Sequence, residues 1–289
     1  MIPFLSIQNL TIHLITGPVI LRSISLDVAV GQVHALVGES GAGKSMIGKA
    51  VLGTLPRAMQ ITAGKIMLDG VDLLTLSSKE RRRIIGTKAA LIPQDPLTAL
   101  NPSKRIGPQI TKRLVDILGW VRSDANNRAR ALLEEVHIAD VDRVMRSYPH
   151  ELSGGMRQRI LIASAFAAEP MLIIADEPTT ALDVTVQKQI LKLMAQMQRR
   201  HGTALLFVTH DLGVVSKTCD TLSVLYAGKI VEEAQMRRFF TRPTHAYSRA
   251  LLVATPTHID PAATLIPVSS DIIAAVEQEV LEHDLRHNQ

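Results

Sequence analysis

The sequence predicts an α/β fold organised around a phosphate-binding loop, with extra β structure beside the loop and a helical segment inserted behind it. Three stretches carry that prediction. Val33–Val37 is a short, mostly apolar run that reads as a buried strand, and a glycine-rich loop joins it to Met46, Ile47, Ala50 and Val51, which share one helix face. Met171–Ala175 is five consecutive non-polar residues ending in two carboxylates, Asp176 and Glu177. From about 104 to 168 apolar residues recur at three- and four-residue spacing, with no strand run.

The loop is Gly38-Glu39-Ser40-Gly41-Ala42-Gly43-Lys44-Ser45, which fits the pattern G-x-x-x-x-G-K-[ST] at every fixed position. Its glycines let the backbone wrap closely around a polyphosphate, so that main-chain N–H groups and the helix N-terminus face the anion. Lys44 is expected to reach the β- and γ-phosphates, and the Ser45 hydroxyl to ligate Mg²⁺. A glycine-rich turn matching by chance would lack the strand before it and the helix after it. The stretch therefore reads as a nucleoside-triphosphate site.

Composition narrows the setting. A chain of 289 residues can hold one large or two modest domains, and 46% hydrophobic with 20% charged residues is an ordinary globular balance. Aromatic residues make up only 3%, which argues against a nucleic-acid surface built on base stacking. The net charge of +5 is too diffuse to choose a partner. Cys219 is the one cysteine, so an internal disulfide and a cysteine-clustered metal site are excluded and a reducing compartment is the natural setting. Met1–Leu5 lacks the basic start and apolar run of a signal peptide, and no stretch approaches the ~18 apolar residues of a membrane span. Membrane association is expected to run through a partner.

Taken in order, Leu5–Ile12 and Ile24–Val28 read as strands joined through a turn at Thr16-Gly17-Pro18, and Gly64–Asp69 as another strand. Strands on both sides of the loop set this chain apart from a purely alternating doubly wound domain. Lys79-Glu80-Arg81-Arg82-Arg83 reads as a solvated helix start. Ala89–Ile92 is a core strand leading into Pro93-Gln94-Asp95-Pro96. In the helical segment, Ile106/Ile110/Leu114/Ile117/Leu118 and Ala129/Leu132/Leu133/Val136 form two apolar faces, with Trp120 between them as an expected core residue. Ser153 is a good N-cap for a helix running to about Ala168, and the Ser153-Gly154-Gly155 turn offers a second anion site or a plain cap.

The remaining site candidates stand at strand ends, where ligands bind in α/β sheets. Asp176 is placed to hold Mg²⁺ directly or through water, and Glu177 to polarise the water that attacks the γ-phosphate. Ala181-Leu182-Asp183 turns into an amphipathic helix carrying Val186, Ile190, Leu193, Met194 and Met197. Ala204–Val208 is a buried strand ending at Thr209-His210-Asp211. Strands at 222–226 and 229–231 follow, then a helix from about Thr244. Beyond Pro256 lies a loosely packed tail with an acidic amphipathic helix near 271–284. His258, His283 and His287 lack metal spacing and read as solvated.

These residues, in this order, resemble the ATP-binding subunit of ABC transporters over roughly residues 4–256. The resemblance rests on the phosphate loop at 38–45, a glutamine loop at Gln94, the signature Leu152-Ser153-Gly154-Gly155-Met156-Arg157-Gln158, the strand ending in Asp176-Glu177, the 181–183 loop and His210. It implies a RecA-like core with an antiparallel β subdomain and a helical subdomain at about 104–168. An importer-type extension would begin near 235, and a tail would occupy 257–289. It also implies a mechanism. Two ATPase subunits pack head to tail around two ATP molecules with Mg²⁺, and Ser153, Gly154 and Gly155 of one face the γ-phosphate held at Lys44 of the other. Gln94 senses Mg²⁺ and the attacking water, Glu177 is the base, and His210 the γ-phosphate switch. Implied partners are two transmembrane permease subunits, a second homologous ATPase or a second copy, and indirectly a solute-binding protein. The implied location is peripheral, on the cytoplasmic face of the inner membrane.

Ile92–Pro102 and Arg242–Leu252 look like the glutamine loop and the C-terminal extension of the dipeptide, oligopeptide and nickel importers. A bacterial peptide importer is the favoured expectation and nickel import the alternative. Two features depart from the family. The position where the family stacks adenine on an aromatic residue is Leu14, with His13 beside it, and no cysteine cluster is present for an iron–sulfur centre. Soluble DNA-repair relatives carry coiled-coil or zinc-bearing insertions between loop and signature. Here 108 residues lie between Lys44 and Ser153, without heptads or cysteine pairs. Translation-associated relatives fuse two ATPase halves, and this chain has one.

Overall fold

The computed structural model describes residues 3–180, 182–254 and 268–287. Its strands are β1 (Leu5–Leu14), β2 (Val19–Val28), β3 (Val33–Gly38), β4 (Met59–Leu68), β5 (Val71–Asp72), β6 (Ala89–Ile92), β7 (Leu172–Asp176), β8 (Ala204–Val208), β9 (Thr221–Tyr226) and β10 (Lys229–Gln235). The first helices are α1 (Lys44–Val51), α2 (Ser78–Lys88), α3 (Pro96–Ala99), α4 (Ile106–Asp116), α5 (Arg122–Glu135), α6 (Val141–Arg146) and α7 (Gly154–Phe166). They are followed by α8 (Val184–His201), α9 (Leu212–Thr218), α10 (Met236–Thr241), α11 (Ala246–Ala254) and α12 (Ser270–His287). The chain divides into two compact units, Met1–Thr75 with Leu206–Gln289, and Leu76–Leu205. Strand β8 crosses from the second to the first.

In the first unit β2, β1, β4 and β5 form an antiparallel sheet in that order. The apolar residues of β1 fall at Leu5, Ile7, Leu10 and Ile12, all buried, so strict alternation would put one pair on the wrong face. The register shifts between Ile7 and Leu10, and Asn9 takes a φ of 48° there, a left-handed conformation that asparagine tolerates. Strand β4 begins at Met59, five residues before the expected Gly64, because Met59-Gln60-Ile61-Thr62-Ala63 alternates apolar and polar residues and extends the pairing with β1 as far as Leu14. Strands β3 and β9 run parallel, and β9 pairs antiparallel with β10.

The core of this unit joins Ala35, Val37, Leu222, Val224, Phe239 and Tyr247 with Val276 of α12. The acidic helix expected near 271–284 is thus present and packed by its apolar edge, and Val276 is 1% exposed. His283, expected to be solvated, is half-buried instead, because it turns toward Arg22 and Asp284 beside β1 and β2. Arg22 grips Asp284 with Nε and Nη2 at 2.8–3.0 Å. The expectations for His258 and for the start of the tail fall outside the described residues, as do the side chain of His287 and the residue Ala181.

The β9–β10 turn is held at Gly228, whose φ is 77°. A β-carbon there would lie 2.1 Å from the Ile20 carbonyl oxygen, while the Gly228 N–H donates to Ala42 O at 2.9 Å and its carbonyl accepts from Arg22 N at 2.7 Å. Gly228→Ala is expected to destabilise the protein by about 2–4 kcal/mol, read as a fall in Tm of several degrees.

In the second unit β6 and β7 run parallel, pairing Ala89 with Leu172 and Ile92 with Ala175, and Ala204 N donates to Met171 O at 2.8 Å. Between Ile106 and Phe166 the chain is helical, apart from its connections and a 3₁₀ turn at Pro149–Glu151. Ala129, Leu132, Leu133 and Val136 in and just after α5 and Ile106, Ile110 and Leu114 of α4 are buried as their spacing predicts. Ile117 and Trp120 are not core residues. Helix α4 stops at Asp116, Gly119 turns the chain with a φ of 71°, and Ile117 and Trp120 are 49% and 38% exposed. The basic run at 79–83 lies in α2, which Ser77 and Glu80 open with a reciprocal capping box. Among the described residues no helix is long and apolar enough to cross a membrane.

Candidate functional site

The phosphate loop leaves β3 at Gly38, and β3 is locked to β9 by side chains as well as by its ladder. His34 Nδ1 lies 2.8 Å from Thr221 Oγ1, and His34 Nε2 lies 2.9 Å from Ser223 Oγ. Burial pushes the His34 imidazole down to about 4, so it is neutral at physiological pH and bridges two hydroxyls without charge. The loop then closes on itself. Ala42 N donates to Glu39 O, and Gly43 opens α1 with a φ of 100° in space bounded by Leu21 and the Ile20 carbonyl. Helix α1 has no acidic residue in its first turn and no side-chain cap, so its positive end meets the loop unopposed by its own helix.

Lys44 is 4% exposed, and its ammonium donates to Gly38 O and Glu39 O, both at 2.8 Å. It lies across the loop that would cradle the phosphates. Glu39 is exposed, with its carboxylate near the Tyr247 phenol. Burial, with Glu39 close by, raises the Tyr247 phenol above its ordinary range. His210 is exposed at the end of β8 in the same unit, where Thr209 N donates to Leu36 O at 3.1 Å and so sets that strand end beside β3. Asp211 caps α9 through Gly213 N and Val214 N. Cys219 is half-buried, and burial pushes its thiol up to about 12, an inert thiol as the sequence suggests.

The other candidates belong to the second unit. Asp176 ends β7, and Glu177 follows with a φ of 45°, a left-handed conformation that is costly for glutamate and turns its carboxylate off the strand. Its Oε2 accepts from Gln94 Nε2 at 3.2 Å and from Thr180 Oγ1 at 3.0 Å. The glutamine and the acid, 83 residues apart in sequence, are therefore in direct contact. Thr180 is a residue that sequence reading missed, although a hydroxyl three positions after the acid was a visible signal. Ser45 in the first unit carries a hydroxyl, and Gln94 and Asp176 in the second an amide oxygen and a carboxylate, each a hard oxygen donor of the kind that small divalent cations take. Among the described residues no group of three or more His, Cys, Asp and Glu is placed to hold a metal by itself.

The signature turn is also in this unit. Ser153 Oγ accepts from Met156 N at 3.3 Å as the N-cap of α7, and Gly154 is open to solvent. The turn is held from behind, since Arg157 Nε donates to Pro149 O at 2.7 Å and Arg159 Nη1 to Val136 O at 2.8 Å. The structure thus brings Gln94 and Glu177 together and keeps the Ser153 cap within its own helix. The phosphate loop and His210 lie in the first unit.

A family profile described as ABC transporter matches residues 21–180. A probable peptide ABC transporter ATP-binding protein of Sinorhizobium fredii is 43% identical over 263 residues, covering 90% of this chain and 78% of the relative. A probable D,D-dipeptide transport ATP-binding protein of Escherichia coli is 45% identical over 260 residues, 89% of this chain and 79% of the relative. Among solved structures, a dimeric ATP-binding cassette in a post-hydrolysis state with ADP and Pi is similar with a TM-score of 0.70 at 26% identity, over 81% of this chain and 99% of that one. A component of a Clostridium perfringens ABC transporter complex gives a TM-score of 0.73 at 25% identity, over 83% of this chain and 91% of that one. With the loop, signature and carboxylate strand all in place, the chain belongs to the ATP-binding subunits of the ABC transporter family.

Proposed function

We propose that this ATPase energises the import of di- and oligopeptides, working as a peripheral subunit on the cytoplasmic face of the inner membrane. Its partners are two transmembrane permease subunits, a second ATPase subunit of the same family or a second copy of this chain, and, through the permease, a solute-binding protein. The observation that carries the catalytic half is the contact of Gln94 with Glu177. One carboxylate oxygen is held by the Gln94 amide and the Thr180 hydroxyl, which aims the group as a general base toward water at the γ-phosphate. Ser45 and Asp176 would be among the oxygen donors that hold Mg²⁺, whose charge would offset that of the phosphates. Gln94 leads directly into α3 and the exposed Leu97, so a change at the base is transmitted to a surface segment within four residues. His210 stands at its strand end as the sensor of the γ-phosphate.

The peptide assignment is supported by the names of the relatives and by the Arg242–Leu252 segment, which is built into the first unit. Buried Glu232 accepts from Thr244 N, Thr244 Oγ1 and His245 N at 2.7–2.9 Å. Affinity isolation from detergent-solubilised native membranes tests it. Two multi-span subunits and a second ATPase, with ATP-dependent peptide uptake after reconstitution, are expected. Recovery only in the soluble fraction, or uptake of nickel and not of peptides, would overturn it.

Ser153→Arg tests the head-to-tail arrangement. Hydrolysis by the assembled transporter should fall about 100-fold or more, the scale of losing one donor to a reacting anion. Nucleotide binding to the isolated chain should be unchanged. Hydrolysis at the normal rate would separate Ser153 from the opposed γ-phosphate.

A further inference from the structure

We propose that His150, backed by Tyr148, forms the ring platform that contacts the base of the nucleotide bound to the opposed subunit. The inference rests on the head-to-tail reading of the signature turn. In the residues just before Ser153 the imidazole of His150 and the phenol ring of Tyr148 stack at 5.7 Å between centroids and 13° between planes. The guanidinium of Arg105 lies over the tyrosine ring, 5.8 Å from its centroid. His150 is exposed and Tyr148 half-buried, so the stack has a supported inner ring and a solvent-facing outer one.

The backbone under the rings is fixed. Tyr148 N donates to Glu151 Oε2 at 2.6 Å, Arg157 Nε holds the Pro149 carbonyl at 2.7 Å, and Ile106 N donates to Ser147 O at 3.0 Å. The half-buried Tyr148, with Arg105 over its ring, backs an exposed His150 on a rigid turn. The pair presents a flat, polarisable face of the kind on which a nucleobase stacks.

The position suits the base of the same nucleotide whose γ-phosphate meets Ser153. His150 stands three residues before Ser153 on the 3₁₀ turn Pro149–Glu151, which rises about 2 Å per residue and so keeps the ring within the length of one nucleotide of the signature turn. The nucleotide's own subunit offers little in exchange. The strand beside its phosphate loop brings Ile20 and Leu21 against Gly43, and the hairpin tip before it, Leu14-Ile15-Thr16-Gly17-Pro18-Val19, contains no aromatic ring, leaving the half-buried His13 as the one ring next to it. The base is thus expected to be gripped from across the interface.

The test is steady-state hydrolysis by the assembled transporter, with KM and kcat determined separately for ATP, in His150→Ala, His150→Gln and His150→Phe. Loss of the stacking face should raise KM for ATP about tenfold in the alanine and glutamine variants. The phenylalanine variant should restore it within about twofold, and ATP affinity of the isolated chain should stay unchanged in all three. A glutamine variant equal to wild type, or an alanine variant with normal KM, would overturn the ring platform. If Ser153→Arg still blocks hydrolysis in that case, the head-to-tail reading stands and only the base contact fails. If Ser153→Arg hydrolyses normally, both fall.

Discussion

Glu177→Gln is expected to cut kcat by roughly 10²–10⁴, the contribution of a positioned general base, and to accumulate an ATP-bound dimer that no longer opens. The substitution preserves shape. An amide oxygen can still accept from Gln94 and Thr180 at the distances seen for Glu177 Oε2, 3.2 and 3.0 Å, so the loop geometry survives while the proton acceptor is lost. Phosphate release measures the rate, and light scattering with ATP measures the dimer. Both should change in opposite senses, with turnover falling and dimer rising. Normal turnover would remove Glu177 from the role of base. Lost turnover without a dimer would mean that the residue acts in nucleotide binding.

Lys44→Ala should abolish useful nucleotide binding. The ammonium is nearly fully buried and sits on two loop carbonyls at 2.8 Å, so the charge is already desolvated and positioned before the phosphates arrive. Removing one partner of a buried, hydrogen-bonded charge pair costs about 2–5 kcal/mol, a loss of ATP affinity of roughly 30-fold to several thousand-fold. Equilibrium titration with a fluorescent ATP analogue reads it directly, and circular dichroism checks that the loop carbonyls left behind have not unfolded α1. Affinity within a few-fold of wild type would remove Lys44 from the phosphate site.

What could be read beforehand divides along physical lines. The loop, the apolar strands β3, β7 and β8 and the carboxylates after β7 were legible because each is local. Buried strands read as continuous apolar runs, and the phosphate loop is a fixed pattern of residues. Trp120 and Ile117 were misplaced because helical spacing says which residues share a face but not where the helix ends. The helix end at Asp116 and the turn at Gly119 take Ile117 off the α4 face and leave Trp120 outside the core expected between the two faces. The contact of Gln94 with Glu177, the Thr180 hydroxyl beside them and the bulge at Asn9 are products of long-range pairing or single backbone dihedrals. No sequence period encodes them. The stack of Tyr148 on His150 is local, but a Tyr-Pro-His triplet does not announce its geometry.

The grip of Glu232 on Thr244 and His245 makes the C-terminal segment an integral wall of its unit. Burial alone would raise this carboxyl, but hydrogen bonds led by the Thr244 backbone N–H hold it below the ordinary carboxylate range. A carboxylate whose folded-state pKa is depressed contributes stability above its unfolded pKa and loses it as pH falls through the folded value. The fastening is therefore intact at neutral pH and released by acid. For anyone engineering the chain, this latch forbids a boundary before the end of α11. A cut or fusion between Gln235 and Thr244 would strip a buried anion of its donors, whereas one placed after Ala254 leaves that latch whole.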